Sequence, residues 1–265
     1  MWNENVSKGR GDEFYTRPED VARILSPMLD SLTGRRVMCP CDGRESAWVQ
    51  FLMDHGVAVD WSTGDFDAVD FDAYDAIVTN PPFSRISDFV RKAAASTADF
   101  VIVLPHSAAA SEAPVRAMVD RGAEMISGPR WFVRPSGKLR EVGTAVLSTL
   151  PTGYERPTPR RADDVHDRTA DGRLVYDRAA AVPDRWTGVA LVPASFLWTR
   201  YDAGLHELVG SEHAAVGVGD GRRRFCRVAV RCVGRPDGQV DGTTGESGDP
   251  TSESTAEGSV GMQPS

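Results

Sequence analysis

Lysine is almost missing from this sequence: 3 Lys stand against 27 Arg in 265 residues. That skew is compositional and points to no ligand. Cysteine is scarce as well, with Cys39, Cys41, Cys226 and Cys232 only. Their C-x-C and C-x5-C spacings differ from the C-x-x-C pairs of zinc sites, and both pairs lie in apolar, strand-like runs. They read as reduced, buried thiols, and no metal is expected. No apolar run approaches the roughly 18 residues that span a bilayer, so no membrane partner is expected. The N-terminal MWNENVSKGRGDEFY lacks the apolar stretch of a secretory signal, which leads us to expect a cytoplasmic protein. A glycine-rich phosphate loop is also absent. The GVGDG at 217–221 has no buried strand before it and no helix after it, and reads as a hairpin turn. Finally, cations are absent from the last thirty residues, 236–265, which hold six acids. Of a net charge of −8, that tail carries −6, so the body is nearly neutral and leaves room for local basic patches.

The chain is long enough for one good-sized core, with 41% hydrophobic residues. In the first half, strand-like and helix-like segments alternate. Helical spacing runs over 19–32, 46–55, 86–95 and 114–121, with Pro18 suited to a first turn and Thr16 to its cap. A buried strand is predicted at 35–41 and further strands at 57–61, 75–79, 99–105 and 144–150, the last beside a hairpin-like partner at 130–134. Alternation of this kind implies a doubly wound, mostly parallel sheet covered on both faces. The segment 151–173 reads as a long surface loop. Structure returns at 187–201, 206–210 and 222–232, giving a small C-terminal extension with strands. We therefore expect a core over 1–150, an extension over 151–235 and a disordered acidic tail over 236–265.

In an open parallel sheet, ligands bind at the carboxyl ends of the strands. Three such ends should open on one edge: CPCDGRES (39–46), WSTGDF (61–66) and TNPPF (79–83). The last is unusual. Pro81 and Pro82 remove two backbone donors and fix two φ angles directly after Asn80. The carboxamide oxygen of Asn80 and the carbonyl of Pro81 then form two acceptors at a fixed separation. Such a pair suits the two N–H donors of an exocyclic amine, and Phe83 could stack on the heterocycle that carries it. Taken singly, each residue has a blander reading. Asp42 could cap the helix that follows, Asp65 could shape a turn, and Phe14 and Tyr15 could be core aromatics. Trp131 and Arg134 read more simply as a packed hairpin than as a DNA contact, and Arg222–Arg224 suit a solvated turn as well as a phosphate grip.

Together these segments resemble a known family. DEFYT (12–16) before a helix, VMCPCDGRES (37–46), GDF (64–66) and IVTNPPFS (77–84) occur in the order seen in EcoRI-type adenine-specific DNA methyltransferases. VPDRWTGVALVPASFLW (182–198), LHELVG (205–210) and GRRRFCRVAVRC (221–232) look like that family's C-terminal segments, so the resemblance covers about 10–233. It implies a Rossmann-like methyltransferase fold and S-adenosyl-L-methionine as cofactor. The methyl group would go to the N6 amine of an adenine flipped out of duplex DNA, in a restriction-modification setting beside a cognate restriction endonuclease, or in an orphan or viral one. By the same resemblance, Asn80, Pro81, Pro82 and Phe83 would hold the target adenine. Phe14, Tyr15 and Thr16 would wrap the methionine end of the cofactor, Cys41, Asp42 and Gly43 would meet it, and Asp65 with Phe66 would hold its adenine. Asp60 is the candidate for its ribose. Gly43-Arg44 stands where that family is expected to carry an acid and a proline, and the common G-x-G is missing. DNA recognition would fall to 151–173 and 221–235. Two alternatives share the clamp or the fold: methyl transfer to RNA adenine or a protein glutamine, and a non-catalytic nucleic-acid-binding module.

Overall fold

The computed structural model describes residues 14–153 and, with short gaps, 166–233. A two-residue strand β1 (Tyr15–Thr16) leads into α1 (Pro18–Leu25). Pro18 opens α1 where its missing N–H costs nothing. The N-cap is Arg17, not Thr16: Thr16 is buried, and its hydroxyl accepts from the indole N–H of Trp48 at 3.1 Å. Pro27 breaks the predicted 19–32 helix into α1, a short 3-10 turn and α2 (Leu29–Leu32).

Then come β2 (Arg36–Cys39), α3 (Ala47–Asp54), β3 (Ala58–Trp61), β4 (Ala76–Thr79), α4 (Ile86–Ala95) and β5 (Asp99–Pro105). Ser46 caps α3, its hydroxyl accepting from the Val49 N–H at 3.2 Å. After α5 (His106–Ala109) and α6 (Glu112–Arg121) follow β6 (Glu124–Ser127), β7 (Trp131–Val133), β8 (Leu139–Glu141) and β9 (Thr144–Ser148).

Six of these strands form one mixed sheet in the order β3-β2-β4-β5-β9-β6. β3, β2, β4 and β5 are parallel, and β9 runs antiparallel to both its neighbours. Alternate side chains separate two cores. Ile77, Phe100 and Ile102 pack with Phe89 of α4 and Met118 of α6, while Val37, Val78 and Val101 pack with Ile24 of α1 and Leu52 of α3. Burial on both faces explains why β4, β5 and β9 read as continuous apolar runs; β3, at the sheet edge, is exposed. Each fully buried aromatic or branched side chain contributes roughly 1.5–3 kcal/mol.

The 130–134 run is not the partner of β9. β7 instead pairs with β1 and β8 in a separate three-stranded sheet, and β9 takes β5 and β6. β6 is short, polar at both ends and carries only two buried residues, so its periodicity is too brief to read.

The remaining elements are β10 (His166–Arg168), β11 (Leu174–Tyr176), β12 (Val189–Val192), α7 (Ser195–Thr199), β13 (His206–Val218) and β14 (Gly221–Cys232). The strands form a sheet in the order β10-β11-β12-β14-β13. β10 shows that the expected 151–173 loop contains a strand; residues 154–165 and 170–172 of that stretch lie outside the described residues, as do 219–220 of the expected GVGDG turn. Val192, Trp198, Leu208, Val228 and Val230 share the cluster that holds Phe89 and Met118. The extension is thus packed into the first compact unit, which ends at Val233, and the expected disordered tail lies outside the described residues. Among the described residues no helix is long and apolar enough to cross a membrane.

Candidate functional site

From β2 the chain moves outward to β3, then returns to the other side of β2 as β4. The direction of progress across the sheet therefore reverses between β2 and β4. At such a reversal the connecting loops leave in opposite directions and a crevice opens above the carboxyl ends. The loop after β2 carries Cys41, Asp42 and Gly43; the loop after β4 carries Asn80, Pro81, Pro82 and Phe83. A third segment joins them, because the Ser62 N–H beyond β3 donates to the Cys39 carbonyl at 3.1 Å.

The two loops are tied together by Asp42. Its carboxylate is buried and accepts from the Thr79 hydroxyl at 2.8 Å. It also accepts from Ser46 and from the backbone N–H of Asn80. Burial pushes its pKa up to about 6, and those three donors hold it from rising further. Asp42 therefore does more than shape the start of α3: it fixes the backbone from which the Asn80 side chain departs.

Asn80 is oriented from a second direction. Its carboxamide lies 2.7 Å from the carbonyl oxygen of Phe14. A carbonyl can only accept, so the group facing it is the Nδ2 amine, and Oδ1 points the other way. That Oδ1 is buried and has no hydrogen-bond partner among the described residues. Buried polar atoms are nearly always satisfied, so an oriented acceptor left open at a sheet edge has the character of a ligand-binding atom. Pro81 beside it is buried, and the Pro82 carbonyl accepts from the Arg85 N–H at 3.0 Å, turning the chain into α4.

Phe83 is half-buried. Its ring centroid lies 5.7 Å from that of Phe14 and 6.3 Å from that of Phe132, and Phe14 lies 6.0 Å from Phe132. Arg140 sits over the Phe14 ring at 5.1 Å. β1 is thereby placed against the Asn80 loop, with Tyr15 half-buried opposite Val133 of β7 and Thr16 held by Trp48.

Other predicted residues lie further from this centre. Asp65 is exposed, bonds the Asp67 N–H at 3.1 Å and stands 3.6 Å from Arg85. Arg85 is also 2.7 Å from Asp67, so its charge is offset by neighbouring acids. Phe66 is core: it is 4% exposed, packs on Phe89 at 4.9 Å and is covered by the Arg85 guanidinium at 4.6 Å. Asp60 pairs with Arg36 at 2.9 Å on the face that carries Tyr74, and no described hydrogen bond joins it to the Asn80–Asp42 network. The Cys41 thiol is pushed up strongly, first by burial and then by Asp42, so it stays protonated at neutral pH and is no nucleophile. Gly43 turns the chain into α3, its carbonyl accepting from the Ser46 N–H at 3.0 Å.

Sequence reasoning missed Thr79, Ser46, Phe132 and Arg140. Thr79 had a signal, as the polar last residue of an otherwise apolar strand that directly precedes Asn80. Ser46 had one too, as a helix-cap residue four positions after Asp42; Phe132 and Arg140 meet the site only through long-range packing. A broad depression of about 390 Å³ lined by Asp67, Asp70, Phe71, Asp72 and Lys92 shares no residue with the Asn80–Asp42 network. Its walls are acidic, and the Lys92 ammonium is already held by the carbonyls of Phe66 and Asp67.

Comparison with protein-family models, with curated proteins and with solved structures gives no significant match. The reading of the site rests on its residues and geometry.

Proposed function

We propose that the chain is an S-adenosylmethionine-dependent methyltransferase acting on the N6 amine of adenine in duplex DNA. The core would then be a Rossmann-like, doubly wound sheet with its ligands at the crevice between β2 and β4. One observation carries the reading: Asn80 Oδ1 is oriented by the Phe14 carbonyl, buried and without a partner among the described residues. An exocyclic amine offers the missing donor. Accepting its N–H draws the nitrogen lone pair away from the ring and toward an electrophile. The Pro81 carbonyl supplies the second acceptor and Phe83 the apolar face for an extruded base.

The cofactor's fit follows from charge. Asp42 is buried below the crevice with its carboxylate held by Thr79, Ser46 and the Asn80 N–H, Asp65 stands exposed on the loop after β3, and Arg85 is neutralised by Asp65 and Asp67. Acidic walls with no glycine-rich loop suit a cationic sulfonium and its ammonium group, and oppose a polyphosphate. When bound, the cofactor would supply an electrophilic methyl group. Cys41, Asp42, Gly43 and Asp65 would line its place, with Phe14, Tyr15 and Thr16 from β1 closing it; Phe66 is core and would face the cofactor only once Arg85 left its ring, and Asp60 would need to exchange Arg36 for a ribose.

The test is methyl transfer from labelled S-adenosylmethionine to unmethylated duplex DNA, RNA and protein side by side, followed by nucleoside analysis. N6-methyladenine from DNA is the expected product. Asn80→Ala should cut transfer by at least about 100-fold in a protein that still unfolds cooperatively, since it removes a positioned acceptor. An active Asn80→Ala protein would refute the clamp. Transfer to RNA or protein alone would move the substrate class, and absence of both transfer and calorimetric cofactor binding would leave a non-catalytic nucleic-acid module.

A further inference from the structure

The hairpin formed by β7 and β8 concentrates positive charge on a protein of net charge −8. Residues 130–141 hold Arg130, Arg134, Lys138 and Arg140 against a single acid, Glu141. Arg130 takes that acid at 2.6 Å. Arg134, Lys138 and Arg140 are exposed and have no carboxylate partner among the described residues. Elsewhere the exposed arginines of the helices are neutralised: Arg91 pairs with Asp88 at 2.9 Å, and Arg116 lies 3.6 Å from Asp120. Arg44, exposed in the loop after β2, also lacks an acid among the described residues; the hairpin differs in holding three such cations within seven residues.

Their position is set by packing. Phe132 of β7 is fully buried against Phe14 and Phe83, which anchors the strand beside the Asn80 loop. Arg140, on β8, lies over Phe14. The hairpin tip closes through the Arg134 N–H on the Lys138 carbonyl at 2.9 Å and a left-handed Gly137, φ +76°, which brings Arg134 and Lys138 side by side. An extruded base must be flanked by its own phosphates, so cations are needed beside the base-holding ring and not in contact with it.

We propose that the hairpin over 131–141 is the arm that grips the DNA backbone next to the flipped adenine, with Arg134, Lys138 and Arg140 as phosphate contacts. This rests on the methyltransferase reading of the Asn80 site and assigns its DNA contact to an element separate from 151–173 and 221–235. The charge complementarity selects a polyanion, and the adjoining base site selects nucleic acid over an acidic peptide.

The experiment uses the full chain and a short unmethylated duplex, with binding followed by anisotropy from about 50 to 400 mM salt. The variant is Arg134→Gln/Lys138→Gln, which leaves Arg140 on Phe14. Loss of two phosphate contacts should lower affinity about 60-fold near 0.1 M salt and flatten the log–log salt slope by about 1.8. Arg91→Gln/Arg116→Gln, which removes the same charge from the helices, should leave the slope as it is. Equal loss in both variants would reduce the effect to net charge and overturn the proposal. A wild type that binds duplex while the hairpin variant keeps its affinity and slope would also overturn it, leaving the methyltransferase reading intact. A wild type that binds S-adenosylmethionine yet no duplex at any salt would overturn both.

Discussion

Replacing Thr79 with Val removes one hydroxyl from the interior and keeps the shape of the side chain. Thr79 is fully buried, and its hydroxyl donates to Asp42 at 2.8 Å. Asp42 has a folded-state pKa of about 6 against an ordinary 3.8, with burial as the first cause. A difference of about 2.2 units corresponds to about 3 kcal/mol. Because the folded value lies above the unfolded one, the folded state binds more protons between pH 4 and 6, and this group's contribution to stability falls as pH rises through that window. The Thr79 hydroxyl is one of the donors that limit the cost. Without it the folded pKa rises further and the ionised carboxylate is worse off. We expect Thr79→Val to cost about 1.5–3 kcal/mol at pH 8, where Asp42 is charged, and about 0.5–1.5 kcal/mol at pH 4.5, where it is protonated in the fold. Urea unfolding of both proteins at the two pH values gives the difference directly, and every other titrating group cancels. A penalty independent of pH, or larger in acid, would show that Asp42 is not the charged acceptor described here.

Two further effects are accessible by the same assay. Arg121→Met strips the guanidinium donors from the carbonyls of Ala93, Ala94, Ser96 and Ala98, which close the end of α4, and should cost about 2 kcal/mol with faster amide exchange there. A stability within 0.5 kcal/mol of wild type would mean water replaces those bonds freely. Trp48→Phe removes the indole donor from the Thr16 hydroxyl and should cost about 1 kcal/mol, with exchange at Tyr15 and Thr16 accelerating more than exchange in β5; uniform acceleration would place Trp48 in the global core alone.

The inner parallel strands were legible because burial on both faces writes itself into sequence as unbroken runs: DFVIVLP maps onto β5 without adjustment, and DAIVT onto β4 once Asp75 is dropped. Loop chemistry at their ends was legible too, since Asn-Pro-Pro leaves the backbone few options. What the sequence withheld was pairing at a distance. RWFVR has the residues of a strand, yet nothing local tells whether it joins the main sheet or recruits β1 from more than a hundred residues away; the burial of Phe132 against Phe14 decides it. Asp60 illustrates the same limit from the other side. Its place on β3 was readable, but the side chain's choice of Arg36 depends on the register of β3 against β2.

Asn80 is held by two independent constraints, and that bears on what the site is for. The Asp42–Thr79 pair fixes its backbone from within the sheet, and the Phe14 carbonyl fixes its side chain from outside the sheet. A residue needed only for the turn would require neither, because Pro81 and Pro82 already set the turn. The double hold leaves Asn80 Oδ1 aimed and desolvated, a state costing about 1–3 kcal/mol while it lacks a donor. Stability alone would favour relaxing that atom into solvent. Keeping it in place makes physical sense where a ligand's N–H completes the bond, because the reorganisation has been done before the ligand arrives.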